Sequence, residues 1–226
     1  MKSLAIDSAS PCMVIAAKNG NEKATLSLDI GMKQSQRILP AIDDILAQVG
    51  LMKPADLDYM ALCEGPGTFT GLRLAFSALK AIELSCGKPI YGIPSLEAYA
   101  FSFRDFGGTV VSVIDAKKDQ FFAAAYENGT CVLEAEDTTA EKIAAFLGRR
   151  GTKSLVVGPD AALFSEKIRE ADVALDIISF SSQPNPTDAL FTIAENLIEQ
   201  KKEPLKDYDG PVYLRKSEAE LALDAK

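Results

Sequence analysis

Histidine is absent from this 226-residue chain, and its absence removes several classes of active site. Ser-His-Asp triads and Cys-His pairs need an imidazole as general base, so neither can operate here. Zinc sites built on histidine are excluded for the same reason. The four cysteines, at positions 12, 63, 86 and 131, lack the spacing of a metal site or a redox pair, which favours a reducing compartment. A hydrolase is therefore a poor first interpretation.

Long apolar runs and an excess of positive charge are also missing. No stretch approaches the roughly 20 apolar residues that cross a bilayer, and the start "MKSLAIDSAS" turns polar too early for a secretory signal. We therefore expect a cytoplasmic protein without membrane contact. The formal net charge of −8 repels phosphate backbones, so tight nucleic-acid binding by this chain alone is not expected.

The hydrophobic periodicity predicts the same order of strands and helices in both halves of the chain. Each half reads as three short strands and a helix, followed by strand, helix, strand and helix. The predicted strands are 3–7, 12–17, 23–29, 59–64 and 89–93, then 109–115, 120–126, 130–135, 154–158 and 174–180. The predicted helices contain 38–49 (with Pro40 in the first turn), 70–86, a short helix from 95, 138–148 (capped at Thr138), 160–171 and 186–200. Two duplicated βββαβαβα lobes, 1–103 and 104–226, are typical of the actin, Hsp70 and sugar-kinase ATPase-like (ASKHA) class. The second lobe ends in a charged tail, 202–226, which is predicted to cross back over a lobe through Val212, Tyr213 and Leu214.

The stretch "GPGTFTGLR" at 65–73 joins an apolar strand to a long helical pattern. Glycine-rich turns that open a helix often bind phosphate, and Thr68 or Thr70 could cap this helix. The stretch lacks the lysine and spacing of a Walker loop and the spacing of a dinucleotide fingerprint. A plain turn and cap, with Arg73 in solvent, is the alternative interpretation.

The helix after this turn has two apolar stripes where packing on one sheet requires one. The first consists of Leu72, Ala75, Phe76, Leu79, Ile82 and Cys86. The second, made mostly of small residues, consists of Gly71, Leu74, Ala78, Ala81 and Ser85. The second stripe must meet either the other lobe or another protein.

The motifs resemble those of the TsaB (YeaZ) family, the bacterial subunit of the machinery that makes threonylcarbamoyladenosine in tRNA. The family signature reads GPGSFTGLR, and residues 65–73 differ from it only at Thr68. "LAIDSAS" (4–10), "VIDAKKDQFFAA" (113–124) and "GPVYLR" (210–215) also match family motifs, so the resemblance covers almost the whole chain.

The resemblance implies a degenerate ATPase-like fold that scaffolds and activates without doing chemistry. It implies pairing with the catalytic subunit TsaD, the ATPase TsaE at the edge, a homodimer in isolation, and tRNA contact only through the complex. The residues expected at the partner interface are Arg37, Gly71, Arg73, Leu74, Ala78, Ala81 and Ser85. No cofactor is expected for the chain itself; ATP or ADP at a surface shared with partners would involve Asp7, Ser8, Thr68 and Thr70.

Three features depart from what family members or active ATPases of this fold class have. Glu64 precedes the signature, where its carboxylate would discourage phosphate. Gln34 stands where family members commonly have histidine, so no role of that imidazole applies here. Neither Asp7 nor Asp115 begins the Asp-x-Gly phosphate loop of active ATPases in this fold class.

Three rival interpretations remain. An independent small-molecule kinase or ATPase would use Asp7 or Asp115 to hold magnesium. A peptidase would need an unusual Ser-Lys or carboxylate site. A purely homodimeric interaction module would use the same helices as the expected heterodimer.

Overall fold

The computed structural model describes residues 1–171, 174–180 and 185–215, apart from the side chain of Met32. The strands are β1 Lys2–Asp7, β2 Met13–Asn19, β3 Glu22–Leu28, β4 Tyr59–Gly65, β5 Ile90–Pro94, β6 Thr109–Lys117, β7 Gln120–Glu127, β8 Thr130–Thr138, β9 Ser154–Val157 and β10 Ile177–Ser179. The helices are α1 Gln34–Gln48, α2 Phe69–Cys86, α3 Ser95–Phe101, α4 Ala140–Arg150, α5 Ala161–Ala171 and α6 Thr187–Glu199, with 3₁₀ turns at Gly31–Lys33 and Pro54–Asp56. The predicted order of elements is confirmed in both halves.

Two compact units share this chain, and each is built on a five-stranded mixed sheet. Unit 1 comprises Met1–Ala98 and Asn185–Val212, and unit 2 comprises the other described residues. The strand orders are β3-β2-β1-β4-β5 and β10-β9-β6-β7-β8, so the second sheet repeats the first. In unit 1, β1 pairs antiparallel with β2 and parallel with β4, which carries the ends of β1 and β4 to the same edge.

Helices α1 and α2 cover one face of the unit 1 sheet. Alternate strand residues such as Leu4 and Ile6 point into this core. They face the predicted helical stripes of α1 and α2. The buried members are Ile38, Ala41, Ile42, Ile45 and Leu46 of α1, and Leu72, Ala75, Phe76, Leu79 and Ile82 of α2. Cys86, the last residue of the α2 stripe, is partly buried. The 3.6-residue period therefore identified the core faces of both helices correctly.

The opposite face of this sheet is covered by α6, which corrects the predicted lobe boundaries. We placed 186–200 in the C-terminal lobe, but α6 packs on β1, β2, β4 and β5 of unit 1. Burial of Leu190 and Phe191 drives this docking. Glu195 adds to it, because it accepts a hydrogen bond from the Tyr59 hydroxyl (3.2 Å) and pairs with Lys18 (3.0 Å).

Unit 2 repeats the arrangement on its own sheet, with α4 and α5 packed against a core that contains Phe121 and Phe164. The chain returns to this unit at Tyr213. Two residues later, the Arg215 guanidinium donates two hydrogen bonds, of 2.6 and 2.8 Å, to the Asp137 carboxylate. The same guanidinium donates to the carbonyl of Ala116. The matched motif at 210–215 therefore ends on an anchor in unit 2, and residues 216–226 of the predicted tail lie outside the described residues.

Two helix starts differ from the predictions. Pro40 lies inside α1 rather than in its first turn, because the helix already begins at Gln34 after a 3₁₀ turn. Helix α4 begins after Thr139, one residue later than predicted, and the Thr138 hydroxyl is buried without a hydrogen-bond partner among the described residues. No helix in the described part of the chain combines the length and apolar character that a bilayer crossing requires.

Candidate functional site

The GPGTFTGLR turn packs against the turn that follows β1. The Thr68 amide donates to the carbonyl of Ala9 at 2.8 Å, and the Thr68 hydroxyl donates to the carbonyl of Ser8 at 3.2 Å. In return, the Ser8 hydroxyl donates to the carbonyl of Gly71 at 2.8 Å. Three hydrogen bonds therefore hold the two turns together at the edge where β1 and β4 end.

Close backbone approach explains two of the glycines in the signature. A Cβ at Gly67 would lie 2.6 Å from the Cα of Ala9, closer than real Cβ contacts come. A Cβ at Gly71 would overlap the carbonyl oxygen of Ser8 and lie 2.5 Å from the Thr68 hydroxyl. Both glycines therefore allow the two turns to approach more closely than a residue with a Cβ would permit.

The four residues expected at a shared nucleotide lie in different environments. Asp7 and Ser8 are buried, and the Asp7 carboxylate accepts a hydrogen bond of 2.9 Å from the Ala9 amide. Thr68 is half-buried and precedes α2 without a side-chain capping hydrogen bond, because its hydroxyl is directed to Ser8. Thr70 alone of the four is exposed. The structure therefore brings Asp7, Ser8 and Thr68 together inside unit 1 and leaves Thr70 on the surface of α2.

The exposed face of α2, termed the outer face, carries no carboxylate. It consists of Thr70, Arg73, Ser77, Ala81, Leu84 and Ser85. Leu84 is 88% exposed, although a leucine side chain gains about 1.5–3 kcal/mol when it is buried. The Arg73 guanidinium lies 3.8 Å from the centre of the Phe69 ring, which is itself 38% exposed.

The predicted interface set needs correction at two positions. Gly71 and Ala78 are buried inside unit 1, because these two residues, seven apart, lie on the side of α2 that faces its own unit. Leu74 is half-buried and packs against the core, whereas Ala81 and Ser85 are exposed. Sequence reasoning missed Leu84, whose signal was a large apolar residue belonging to neither stripe.

Helix α1 presents Arg37 and Leu39 on its surface. Arg37 is exposed as expected, and Leu39 is 54% exposed. The side-chain amide of Gln34, at the position of the usual family histidine, donates to the carbonyl of Pro11. Gln34 thereby ties the start of α1 to the turn after β1.

The predicted return of the tail over a lobe is confirmed for the segment 205–212, here termed the strap. The amide of Leu205 donates to the carbonyl of Ile90, and the amide of Val212 donates to the carbonyl of Glu64. A Cβ at Gly65 would overlap the carbonyl oxygen of Val212. The strap therefore makes a backbone hydrogen bond to the edge strand β5 and contacts Gly65, the first residue of the signature.

The carboxylate of Glu64 is held beside the strap in a poorly solvated position. Burial raises the pKa of Glu64, and the negative charges of Glu97 and Asp209 raise it further. Burial also raises the pKa of Glu97. The Glu64 carboxylate occupies the position of a Cβ at Gly92, so a larger residue there would displace it. Glu64 therefore places an acidic group directly before the signature turn.

In the part of the chain that the structure describes, cysteine and carboxylate side chains form no group of three placed to hold a metal ion. Burial raises the pKa of the Cys63 thiol well above its ordinary value, and the neighbouring Asp7 carboxylate adds to the shift. Cys63 is therefore a neutral thiol rather than a nucleophile.

Comparison with known proteins agrees with the motifs. The family described as "TsaD: tRNA N6-adenosine threonylcarbamoyltransferase" matches residues 31–222. The "tRNA threonylcarbamoyladenosine biosynthesis protein TsaB" of Bacillus subtilis is 28% identical over 82% of this chain and 81% of its own length. The protein of the same name from Escherichia coli is 34% identical over 62% of each chain.

The fold agrees with a solved structure as well. YeaZ from Pseudomonas aeruginosa superposes with a TM-score of 0.76 at 24% identity, covering 94% of this chain and 99% of its own. The strand order of the first sheet is repeated in the second, which agrees with the predicted α/β fold of two repeated lobes. The chain therefore belongs to the TsaD tRNA N6-adenosine threonylcarbamoyltransferase family, within its TsaB (YeaZ) branch.

Proposed function

We propose that this chain is a non-catalytic, cytoplasmic subunit that pairs with a TsaD catalytic subunit in the biosynthesis of threonylcarbamoyladenosine in tRNA. The names of the relatives from B. subtilis and E. coli support the pathway. The family signature is present as GPGTFTGLR, and it is built into the start of α2.

The observation that carries the proposal is the outer face of α2. Helix α2 already buries one complete apolar stripe in unit 1, yet it leaves Leu84 almost fully in solvent. Ser77, Ala81 and Ser85 surround this side chain with small residues, which allow another helix to approach closely. Leu39 on the neighbouring α1 adds a second exposed apolar side chain. Such a surface fits an apolar helical partner better than it fits water.

A non-catalytic role is supported by how the turn is used. Gly67 and Gly71 pack closely against Ala9 and Ser8, and the buried Asp7 carboxylate accepts a hydrogen bond from the Ala9 amide. These contacts argue against the rival interpretation as an independent kinase or ATPase. In our proposal the chain binds no nucleotide alone, and ATP or ADP binds only at a surface shared with partners, through exposed groups such as Thr70. TsaE joins at that edge, the isolated chain forms a homodimer through the outer face, and tRNA is met only in the complex.

The test replaces Leu84 by glutamate and uses Leu163→Glu as the matched control. Leu163 is also an exposed helical leucine, 41% accessible, but it lies on α5 of unit 2. We expect Leu84→Glu to weaken binding to TsaD by at least tenfold in calorimetry, about 1.4 kcal/mol, and to lower threonylcarbamoyladenosine in tRNA when it replaces the wild-type gene. The control should do neither. Unchanged affinity for TsaD in Leu84→Glu would contradict the proposed docking face.

A second measurement separates the kinase interpretation. Calorimetry of the purified chain with Mg-ATP should give no micromolar binding and no turnover. Tight binding with hydrolysis by the chain alone would favour the rival instead.

A further inference from the structure

Four cationic residues of unit 2 lie at the end of its sheet where β6 begins, although the whole chain has a net charge of −8. Arg104, Arg149, Arg150 and Lys153 are all exposed there. The segment 148–153, "GRRGTK", is exposed at every position. We name these four side chains the basic end.

A network of hydrogen bonds around Thr109 and Glu127 connects the segments that carry the basic end. The Thr109 hydroxyl contacts both Glu127 and the Thr152 hydroxyl at 2.7 Å, and the Thr109 amide donates to the carbonyl of Lys153. Glu127 also accepts two hydrogen bonds from Arg150. Gly129, two residues after Glu127, lies against Arg104, since its Cβ would be 3.5 Å from that of the arginine. Residues from α4, β6 and β7 and the segment after α3 are thus placed side by side.

Two of the arginines are held in position by aromatic rings. The Arg104 guanidinium lies 4.6 Å from the centre of the Phe101 ring, and that of Arg150 lies 5.7 Å from the centre of the Phe146 ring. A guanidinium over a ring is already ordered, so it loses less freedom when its N–H groups bind phosphate oxygens. The ion pair with Glu127 neutralises Arg150 in part. Two exposed carboxylates also lie near these cations: Asp105 follows Arg104 in the chain, and the carbonyl of Asp176 accepts a hydrogen bond from the amide of Ser154, next to Lys153.

The helix dipole explains only part of this arrangement. Arg149 and Arg150 lie in the last turn of α4, where cations are favourable for the helix itself. Lys153 lies beyond the helix, after Gly151 has ended it, and Arg104 belongs to a different segment. These two cations lie outside the last turn of α4, where the favourable effect of the helix dipole is concentrated.

We propose that the basic end contacts the phosphate backbone of tRNA when the chain works within its complex. This inference rests on the proposed role in tRNA modification, which supplies the polyanion. Because the rest of the chain is acidic, its field repels RNA and directs it towards this local positive surface. The contact is electrostatic and carries no sequence readout, so it positions the RNA and leaves base recognition elsewhere.

The experiment uses the full chain assembled with TsaD and an unmodified tRNA transcript as the probe. The test variant is Arg149→Glu/Lys153→Glu, and the control is Lys201→Glu/Lys202→Glu. The control makes the same change of charge on two exposed residues that also follow a helix C-terminus, that of α6 in unit 1. A second test variant, Arg149→Gln/Lys153→Gln, removes the cations without adding carboxylates.

We expect the test variant to weaken tRNA binding at least tenfold at about 0.1 M salt. We also expect the slope of log K against log [salt] to become shallower by about 1–2, because up to two phosphate contacts are lost. The glutamine variant should show the same change in slope, and the control should bind tRNA within twofold of wild type.

Each other outcome has a defined meaning. Wild-type tRNA affinity and salt slope in Arg149→Glu/Lys153→Glu would overturn the inference. Loss of TsaD binding with tRNA affinity retained would also overturn it, since the basic end would then meet a protein. Failure of the wild-type chain to assemble with TsaD would instead refute the proposed function, and it is scored before any RNA is added.

Discussion

The packing of the signature turn leads to a prediction about the sign of a glycine substitution. Gly71 lies in the first turn of α2 and Gly148 lies in α4, and neither has a positive φ. Replacement of a helical glycine by alanine normally stabilises a protein by about 0.5–1 kcal/mol, because the unfolded chain loses freedom. We expect that ordinary gain at Gly148, where a Cβ would meet nothing within 4 Å.

At Gly71 the added methyl group would overlap the carbonyl oxygen of Ser8 and press on the Thr68 hydroxyl. Both neighbours are held by hydrogen bonds of the turn, so neither moves without breaking one. Overpacking of this kind costs about 1–3 kcal/mol, occasionally more. We therefore expect Gly71→Ala to be destabilising and to differ from Gly148→Ala by roughly 1.5–4 kcal/mol.

Urea denaturation followed by circular dichroism measures the two free energies of unfolding. Because a chain with two units can unfold in two steps, hydrogen exchange read by mass spectrometry should assign each effect to its unit. The loss in Gly71→Ala should appear in peptides from β1 and α2. A stabilised Gly71→Ala variant, matching Gly148→Ala, would refute the close approach of the two turns.

Three further predictions concern stability and reactivity. The pKa of Glu64 is higher in the folded chain than its ordinary value of about 4.5. The side chain therefore makes its full contribution to stability below about pH 4.5, and this contribution is lost as the pH rises through the pKa of the folded state. Glu64→Gln should therefore gain stability relative to wild type between pH 4.5 and 7 in urea titrations; a constant difference would contradict the shift. Arg215→Lys should lose about 1 kcal/mol or more, because lysine cannot reproduce the bidentate contact with Asp137, and equal stability would contradict that anchor. In a thiol-labelling time course on the native chain, exposed Cys131 should react quickly and buried Cys63 only on unfolding; fast reaction of Cys63 would contradict its burial.

Local periodicity determined much of this protein without any tertiary information. The order of strands and helices, the duplicated pattern and the buried stripe of α2 depend on neighbours within two helical turns or along one strand. The GPGTFTGLR motif also identified the family from nine adjacent residues. Most predictions that depend only on such short spacings were confirmed, with small shifts at element ends such as the position of Pro40 in α1. The predicted side-chain caps were wrong, because Thr68 makes no capping hydrogen bond at α2 and the residue before α4 is Thr139 rather than Thr138.

The tertiary structure decided everything that depends on residues far apart in the chain. It assigned α6 to unit 1, because the second face of that sheet is completed by residues more than 100 positions away, such as Tyr59 with Glu195. It turned Gly71 and Ala78 inward and left Leu84 outside, since helical spacing defines stripes but not which stripe finds cover. It also showed that Ser8 fills the space beside the signature glycines, a contact across about 60 residues that no local pattern encodes.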